Sequence, residues 1–563
     1  MTMLRSALAA ATICAAGLAH ALFDPAREYV ETAAVAARFP DPAVDIPTPA
    51  FLAGRADFTS QDEMMAFVAA VAVRSRDARL LLPGVSQEGR AIPLLAFARP
   101  ATGRGGELVK NGKPTVLIIG QQHGNEPAGG EAALALAAEL ATPAGAAILD
   151  RVNVLVVPRA NPDGAHHFVR GTADGADVNR DHLLEATPEG RALGRVFVEF
   201  APDVVLDCHE FGVKTRWLEK FGALQRYDAL IQYATVSNLP AALTDASETL
   251  FRAPLIAALA RAGLTQSWYY TSSYDAKDKV VSMGGVSPDT GRNIAGLRNA
   301  VSFLIETRGV GIGRAHFKRR VYTHLVAMHA MLDAAADNAE ALLALERRLR
   351  GEVAAAAGHG TLIVAGAASP ATHTLDLVDP ETGADRAVDV DWRSALDIKP
   401  RLTRSRPFGY LLPASEAAAA RRLVDLGATV MRLDGAAAVT VDGERYRITR
   451  AQESRKDDVR RNDEDAPSRI VQIATATEPA RVALAAGDYF VPLDQPLANV
   501  IAAALEPDTQ SSYAANHLLT LPEIVAGTPA FLPLFRVTAP PPAAGVVWDE
   551  AVAFVIILTV LSP

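Results

Sequence analysis

Cysteine is almost absent from this chain. Its 563 residues include only Cys14 and Cys208, and Cys14 lies in an N-terminal segment that we expect to be removed. Without an internal disulfide, the protein must be stabilised by its core. A basic block is absent too, since the formal charge is -9 and the two signs are interleaved. We therefore expect no nucleic-acid partner.

No apolar run reaches the roughly 20 residues that a membrane-spanning helix needs. Near the N-terminus, Arg5 precedes an apolar stretch that ends in the small-x-small triplet 19–21. This order predicts a signal peptide over residues 1–21 and export to the periplasm or the extracellular space. The apolar residues 551–561 are interpreted as a final buried strand, with a weak membrane anchor as the alternative.

The length and the 50% apolar composition predict two or more domains, each with a sizeable core. After the signal peptide, the proline-rich residues 22–59 are interpreted as an N-terminal arm. Residues 60–345 are assigned to an α/β domain and residues 346–540 to a smaller β-rich accessory domain. Residues 541–563 are interpreted as a proline-rich linker followed by the apolar tail.

Apolar runs without alternation follow one another between helical stretches in the α/β domain. The predicted strands are Val116–Ile119, Val152–Val157, Val204–Leu206 and Val301–Ile305, with a helix from about Glu126 to Leu140. Such runs indicate a mixed, largely parallel sheet that is flanked by helices and buried on both faces. Reactive groups of such sheets gather beyond the carboxyl ends of the strands.

Several local signals predict individual elements. Ser60 and Glu63 have the spacing of a capping box and predict a helix start, and Gly89 marks a hairpin turn. In the β-rich domain, Asp442-Gly443 predicts the turn of a second hairpin, between strands at 439–441 and 445–448. Two helices are predicted, one at 415–426 and one that follows Asp494 and Pro496 and ends at Leu505.

His123 and Glu126 stand three residues apart, directly after a predicted strand and at the entry to a helix. Side chains at this spacing can face one point and share a metal ion. His209 follows another strand, and two histidines with one carboxylate are the usual ligands of a catalytic zinc. A plain helix cap by Glu126, with His123 solvated, is the alternative.

Polar groups are concentrated between and after these segments. Arg170 and Arg180 can each bind a carboxylate or a polarised carbonyl, and Asn179 can add a hydrogen bond. Glu306 ends the apolar run VSFLI, where a carboxylate can take a proton from water and return it to a leaving amine. The alternatives are surface arginines and a strand-end carboxylate that faces solvent.

The ordered set resembles the zinc carboxypeptidases of the carboxypeptidase A type. The matching elements are His123-Gly-Asn-Glu126, Asn161-Pro-Asp-Gly164, Arg170, Asn179-Arg180, His209 and Glu306-Thr-Arg-Gly309, and the resemblance covers roughly residues 60–335. It implies one zinc ion on His123, Glu126 and His209, with Glu306 activating water. It also implies that Arg170 polarises the scissile carbonyl, that Asn179 and Arg180 hold the terminal carboxylate, and that Asp177 orients His123.

Two departures from the family leave the substrate open. Asn125 stands where digestive enzymes of this family have an arginine, and the loop 282–299 contains no tyrosine. Tyr269, Tyr270 and Tyr274, or Arg292 and Asn293, are the candidate replacements. The sequence thus predicts a metallocarboxypeptidase acting on peptides with a free carboxylate. A zinc amidohydrolase for cell-wall peptides or N-acyl amino acids, or a catalytically silent peptide-binding protein, is the alternative.

Overall fold

A computed structural model describes residues 23–103, 105–273, 275–433, 440–456, 469–525, 527–540, 548–550 and 559–560. The predicted signal peptide, Tyr274 and most of the predicted linker and tail therefore lie outside the described residues. The arm contains only short helical turns, at Pro25–Arg27, Ala33–Ala36 and Pro49–Phe51.

The α-helices are α1 Ala33–Ala36, α2 Gln61–Arg74, α3 Pro127–Leu140, α4 Pro143–Leu149, α5 Pro162–His167, α6 Pro188–Phe200, α7 Thr215–Phe221, α8 Ala241–Ala246, α9 Ala253–Arg261, α10 Gly291–Leu297, α11 Phe317–Asp337, α12 Ala339–Ala355, α13 Ala417–Asp425 and α14 Ala498–Leu505. A π-helical turn, Ser247–Arg252, joins α8 to α9. No single described helix is long and apolar enough to cross a membrane. Helices α3 and α4, which meet at a bend of 98°, reach the length and apolar composition of a span only when taken together.

The strands are β1 Ala78–Val85, β2 Ala91–Phe97, β3 Thr115–Gly120, β4 Asn153–Val157, β5 Val204–Gly212, β6 Leu224–Gln225, β7 Ala229–Tyr233, β8 Gln266–Trp268, β9 Tyr270–Ser272, β10 Val280–Met283, β11 Val301–Val310, β12 Thr361–Val378, β13 Asp385–Ser405, β14 Gly409–Leu412, β15 Met431–Leu433, β16 Thr440–Arg455, β17 Arg469–Ala483, β18 Tyr489–Pro492, β19 Phe531–Val537, β20 Trp548–Glu550 and β21 Thr559–Val560.

The largest sheet has nine strands in the order β21-β1-β2-β4-β3-β5-β11-β7-β8. Its centre, β4-β3-β5-β11, is parallel, whereas β2 and β7 join antiparallel on either side. Val116 and Ile118 belong to the core under α3 and α11, while Leu117 and Ile119 belong to the core under α6. The mixed, largely parallel sheet buried on both faces is therefore confirmed. The tail residues 559–560 pair with β1 at the sheet edge.

The predicted start of α2 and the first hairpin are confirmed. Ser60 accepts a hydrogen bond from Glu63 N, and the Glu63 carboxylate accepts one from Ser60 N, so both halves of the capping box are present. Strands β1 and β2 pair antiparallel across the Gly89 turn, where φ is +82°. Glycine favours this left-handed conformation because it has no Cβ.

The predicted turn at Asp442-Gly443 is wrong. Strand β16 runs straight through both residues and pairs along its length with β17. A Cβ on Gly443 would lie 2.0 Å from the carbonyl oxygen of Arg536 and 2.6 Å from the ring of Phe535. The glycine is there because β19 approaches closely, which is the other common reason for a glycine inside a strand.

The C-terminal region, residues 346–540, contributes to two further sheets. A seven-stranded sheet has the order β17-β16-β19-β14-β18-β15-β20, and a five-stranded sheet has the order β6-β12-β13-β10-β9. Three strands of the five-stranded sheet, β6, β9 and β10, precede residue 345, and α12 runs across that position. The region is β-rich as predicted, and the five-stranded sheet joins it to the α/β part.

Candidate metal centre and substrate cavity

His123, Glu126 and His209 meet at the carboxyl edge of the main sheet. The first two lie between β3 and α3, with Glu126 at the N-cap position, and His209 lies on β5 beside β3. His209 Nδ1 is 3.0 Å from His123 Nδ1 and 2.9 Å from a Glu126 oxygen, and His123 Nδ1 is 2.9 Å from the other. All three residues are buried.

The outer nitrogens of both histidines face carboxylates. His123 Nε2 is 3.1 Å from Asp177 Oδ1, and His209 Nε2 is 2.6 Å from Asp207 Oδ1. A neutral imidazole that donates from Nε2 presents a lone pair at Nδ1. With both histidines in this form, two lone pairs and the Glu126 carboxylate face one point, so the three residues can hold a cation. Ligand atoms about 2.0–2.2 Å from a tetrahedral zinc lie a little over 3 Å apart, which fits these spacings.

The charges around the three residues favour ionised carboxylates. Burial opposes ionisation of Glu126, but His123 and His209 hold its pKa well below the usual range. Burial opposes ionisation of Asp177 too, and Arg170 and His123 outweigh it, so its pKa is also well below the usual range. Both carboxylates are thus available at neutral pH, one as a candidate ligand and one as a hydrogen-bond acceptor.

Arg170 points at the same centre. Its guanidinium donates to Asp177 Oδ2 over 2.9 Å from Nη2, while Nη1 lies 3.3 Å from a Glu126 oxygen and 3.2 Å from His123 Nδ1. About a third of its side chain is exposed. The ion pair with Asp177 fixes the orientation, and the exposed part can reach an oxygen of a bound molecule.

Asn179 and Arg180 lie on the short turn Val178–Arg180, next to the centre. Asn179 Nδ2 lies 3.0 Å from His209 Nε2, and its Oδ1 accepts a hydrogen bond from Gly291 N over 2.7 Å. Arg180 Nη1 donates to the Asn179 carbonyl over 2.6 Å. Asn179 is therefore buried against the metal centre, whereas Arg180 lines the cavity described below.

Glu306 is the immediate neighbour of His209 across the sheet. Strands β5 and β11 are parallel, and their register pairs Glu306 with His209. Glu306 is 3% exposed, so the solvent-facing strand end considered as the alternative is wrong. The carboxylate belongs to the buried edge of the sheet where the candidate ligands gather.

Asp207 was missed by the sequence reasoning. It lies two residues before His209 on β5, and residues i and i+2 of a strand share a face. Besides His209, its carboxylate accepts hydrogen bonds from Gln122 Nε2 and, over 3.3 Å, from Asn179 Nδ2. The signal that could have found it is the Asp-x-His spacing within a predicted strand.

The sequence reasoning also missed Glu210 and Arg320, which contact the elements that carry the candidate ligands. Glu210, next to His209, accepts hydrogen bonds from Ala128 N over 2.9 Å and from Arg320 Nε over 2.7 Å. Its own backbone N–H donates to Glu126 over 3.1 Å. The buried Glu210–Arg320 ion pair thus ties the start of α3, the end of β5 and α11 together around Glu126.

His167, His182 and Cys208 lie outside the triangle of candidate ligand atoms. His167 pairs with Glu88, and His182 faces Gln122, which links it to Asp207. Cys208 is 1% exposed and packs against α3 at Gly129. Burial raises the pKa of its thiol, so it is a core residue rather than a nucleophile.

A cavity of about 430 Å³ opens beside Arg180. The loop 282–299 forms one of its sides, with Tyr269 and Arg292 in the wall. Tyr270 is buried between Trp217 and Trp392. Asn293 donates to the carbonyls of Gly285 and Ser287, so it holds the loop together. Of the candidate replacements that the structure describes, Tyr269 and Arg292 are the ones in the cavity wall.

Comparison with known proteins finds similarity to carboxypeptidases. The model of the zinc carboxypeptidase family matches residues 64–199. Carboxypeptidase 2 of Trichophyton equinum is 30% identical over 446 residues, which is 76% of this chain and 78% of that protein. Carboxypeptidase 2 of Trichophyton tonsurans is 29% identical over 468 residues, 80% of this chain and 81% of that protein. Both alignments are too long for residues 22–345 alone, so the similarity extends into the C-terminal region.

A solved structure of a metallo-carboxypeptidase from Burkholderia cenocepacia is 21% identical to this chain, with a TM-score of 0.36 over 49% of this chain and 70% of that one. A carboxypeptidase A from Helicoverpa armigera is 15% identical, with a TM-score of 0.38 over 50% and 75%.

Proposed function

The chain belongs to the zinc carboxypeptidase family and is a metallocarboxypeptidase, and from this premise we propose that it releases the terminal residue of peptides with a free carboxylate. We assign one zinc ion to His123, Glu126 and His209. The observation that carries the assignment is the convergence of two imidazole Nδ1 atoms and a carboxylate within 3.0 Å of one another.

Zinc in such a site supplies a Lewis acid that polarises a carbonyl and makes water a nucleophile near neutral pH. Glu306, beside His209, accepts the proton of the attacking water and passes it to the leaving amine. Arg170, held by Asp177, donates hydrogen bonds to the oxygen on which negative charge develops.

Arg180, held by Asn179, is assigned to the free carboxylate of the substrate. A guanidinium matches the two oxygens of a carboxylate by paired hydrogen bonds. Because Asn179 contacts His209 and Arg180 lines the cavity, a carboxylate on Arg180 places the adjacent peptide bond toward the metal centre. This arrangement selects the last bond of a peptide rather than an internal one.

The first test is Glu306→Gln, with Glu340→Gln on the exposed side of α12 as the matched control. Loss of the proton acceptor lowers kcat by about 10²–10⁴-fold, while bound zinc, measured by atomic absorption, stays at one ion per chain. A chelator abolishes activity and zinc restores it. Full turnover by Glu306→Gln would rule out its assigned role, and an absence of chelator-sensitive turnover in the wild type would identify a silent binding protein.

The second test compares peptides that end in a free acid with the same peptides ending in an amide. Loss of the carboxylate removes the partner of Arg180, so the amides are cut far more slowly. Equal rates would show that Arg180 does not select a carboxylate and would favour an amidohydrolase.

We also propose that the enzyme acts outside the cytoplasm, in the periplasm or the extracellular space. The support is the sequence of residues 1–21, with Arg5, an apolar stretch and a small-x-small triplet. Mass spectrometry of the protein from a producing cell is expected to give Leu22 as the first residue. A chain that retains residues 1–21 would contradict cleavage.

A further inference from the structure

The cavity beside Arg180 has walls from both parts of the chain. Its volume of about 430 Å³ lies within the range of roughly 300–1,000 Å³ that is typical of small-molecule sites. One wall comes from the α/β part, and the opposite wall comes from β12 and α14 of the C-terminal region. Apolar residues on the two sides include Val236, Met283 and Leu297, and Leu362, Ala365 and Ala503.

The loop 282–299, which forms one side of the cavity, is fixed by the C-terminal region. Strand β10, which leads into the loop, pairs in parallel with β13. Farther along, Ser287 Oγ lies 2.9 Å from Ser511 Oγ, and Ser511 also donates to Asp289 over 2.8 Å. Lys456 forms an ion pair with the same Asp289 carboxylate. Backbone pairing with β13 and side-chain contacts from Ser511 and Lys456 thus fix the loop to the C-terminal region.

Charges in the wall of the C-terminal region occur in pairs. Lys456 neutralises the buried Asp289. Glu506 and Asp508 both lie 2.8 Å from Arg404. These charges are compensated locally, so the aliphatic side chains of the wall remain available to an apolar group, and Arg180 is the cavity residue that follows Asn179, the neighbour of His209.

We infer that the C-terminal region completes the pocket for the substrate's terminal side chain, and that this pocket takes large apolar side chains. The inference rests on the proposed function, since it places the terminal carboxylate on Arg180. From there the side chain extends between α14 and β12 on one side and the loop 282–299 on the other. Ala365 and Ala503 are small, and they leave the room that a large side chain needs.

The test places a large side chain in the pocket from each of two elements of the C-terminal region. Ala365→Phe on β12 and Ala503→Phe on α14 are compared with Ala367→Phe, which lies on β12 but is not part of the cavity wall. The substrates are N-blocked dipeptides that differ only in their last residue, which is Phe, Ala, Lys or Asp. The readout is kcat/KM for each substrate, and the Ala-ending dipeptide reports whether a variant is folded.

The wild type is expected to prefer Phe over Ala, Lys and Asp. Because excluding a large group from an apolar pocket changes selectivity by about 10–200-fold, each pocket variant should lose at least about tenfold in the ratio of Phe to Ala. Ala367→Phe should leave that ratio unchanged. A wild-type preference for Lys or Asp, or an unchanged ratio in both pocket variants, would overturn the inference while leaving the proposed function standing. Absence of chelator-sensitive release from every substrate would overturn both.

Discussion

At the scale of single residues, the two histidines of the metal centre differ in how they are held. Asp177, the partner of His123, shares its charge with Arg170. Asp207, the partner of His209, accepts its other hydrogen bonds from the neutral amides of Gln122 and Asn179. No cationic side chain other than His209 donates a hydrogen bond to Asp207 in these contacts, so the negative charge of Asp207 acts mainly on His209. A carboxylate behind a ligand histidine fixes the tautomer and makes the ring a stronger ligand.

We predict that Asp207→Asn weakens zinc binding by about 10–100-fold, the usual cost of losing a carboxylate behind a ligand histidine. Titration against a chromophoric chelator measures the affinity directly. Asp389→Asn, on an exposed stretch of β13, is the control and should bind zinc as the wild type does. Unchanged affinity in Asp207→Asn would mean that His209 needs no charged partner.

The sequence could single out the candidate ligands because each has a local signature. His123 and Glu126 follow a strand at a spacing that lets them face one point, and His209 and Glu306 end strands that parallel pairing brings together. Asp289 and Lys456 have no such signature, because a long stretch of chain separates them and neither lies in a recognisable motif. Contacts of this kind depend on the packing of whole elements and are invisible in a single sequence.

At the scale of elements, Gly443 shows why one prediction failed. An Asp-Gly pair between apolar residues is a common hairpin turn, but a glycine also permits two strands to approach closely. The sequence around residue 443 fits both explanations. The pairing of β19 with β16 decides between the two explanations. That pairing cannot be inferred from the residues of β16 alone.

Gly443→Ala should therefore destabilise the protein, since its Cβ would overlap the backbone of β19. Overpacking of this kind costs about 1–3 kcal/mol. Gly351→Ala is the matched control, because it lies inside α12 with no atom near its Cβ position, and alanine should add up to about 1 kcal/mol there. Urea unfolding followed by circular dichroism measures both, and stabilisation by Gly443→Ala would contradict the close approach of β19.

At the scale of the whole molecule, several apolar clusters extend across residue 345. One joins Val236 and Leu297 to Leu423 and Tyr513, and another joins Trp217 to Trp392. The prediction of β-rich structure after residue 345 is confirmed by the strands found there. It does not indicate how much apolar surface the two parts bury against each other. The domain division at 345 remains a prediction.

A chain of residues 22–345 should accordingly be poorly soluble and inactive, because its half of these clusters would face water. Expression of that chain beside residues 22–563, with solubility and zinc-dependent peptide cleavage as readouts, is the measurement. A soluble, active fragment would show that the C-terminal region is dispensable for both the fold and the cavity.

The hydrogen bond between Ser511 and Ser287 has a consequence for when the cavity is completed during synthesis. The two residues are 224 positions apart, so the loop 282–299 is synthesised long before the residues that fix it. A growing polypeptide has the metal ligands but no finished cavity beside them. The cavity is therefore complete only when nearly the whole polypeptide has been made.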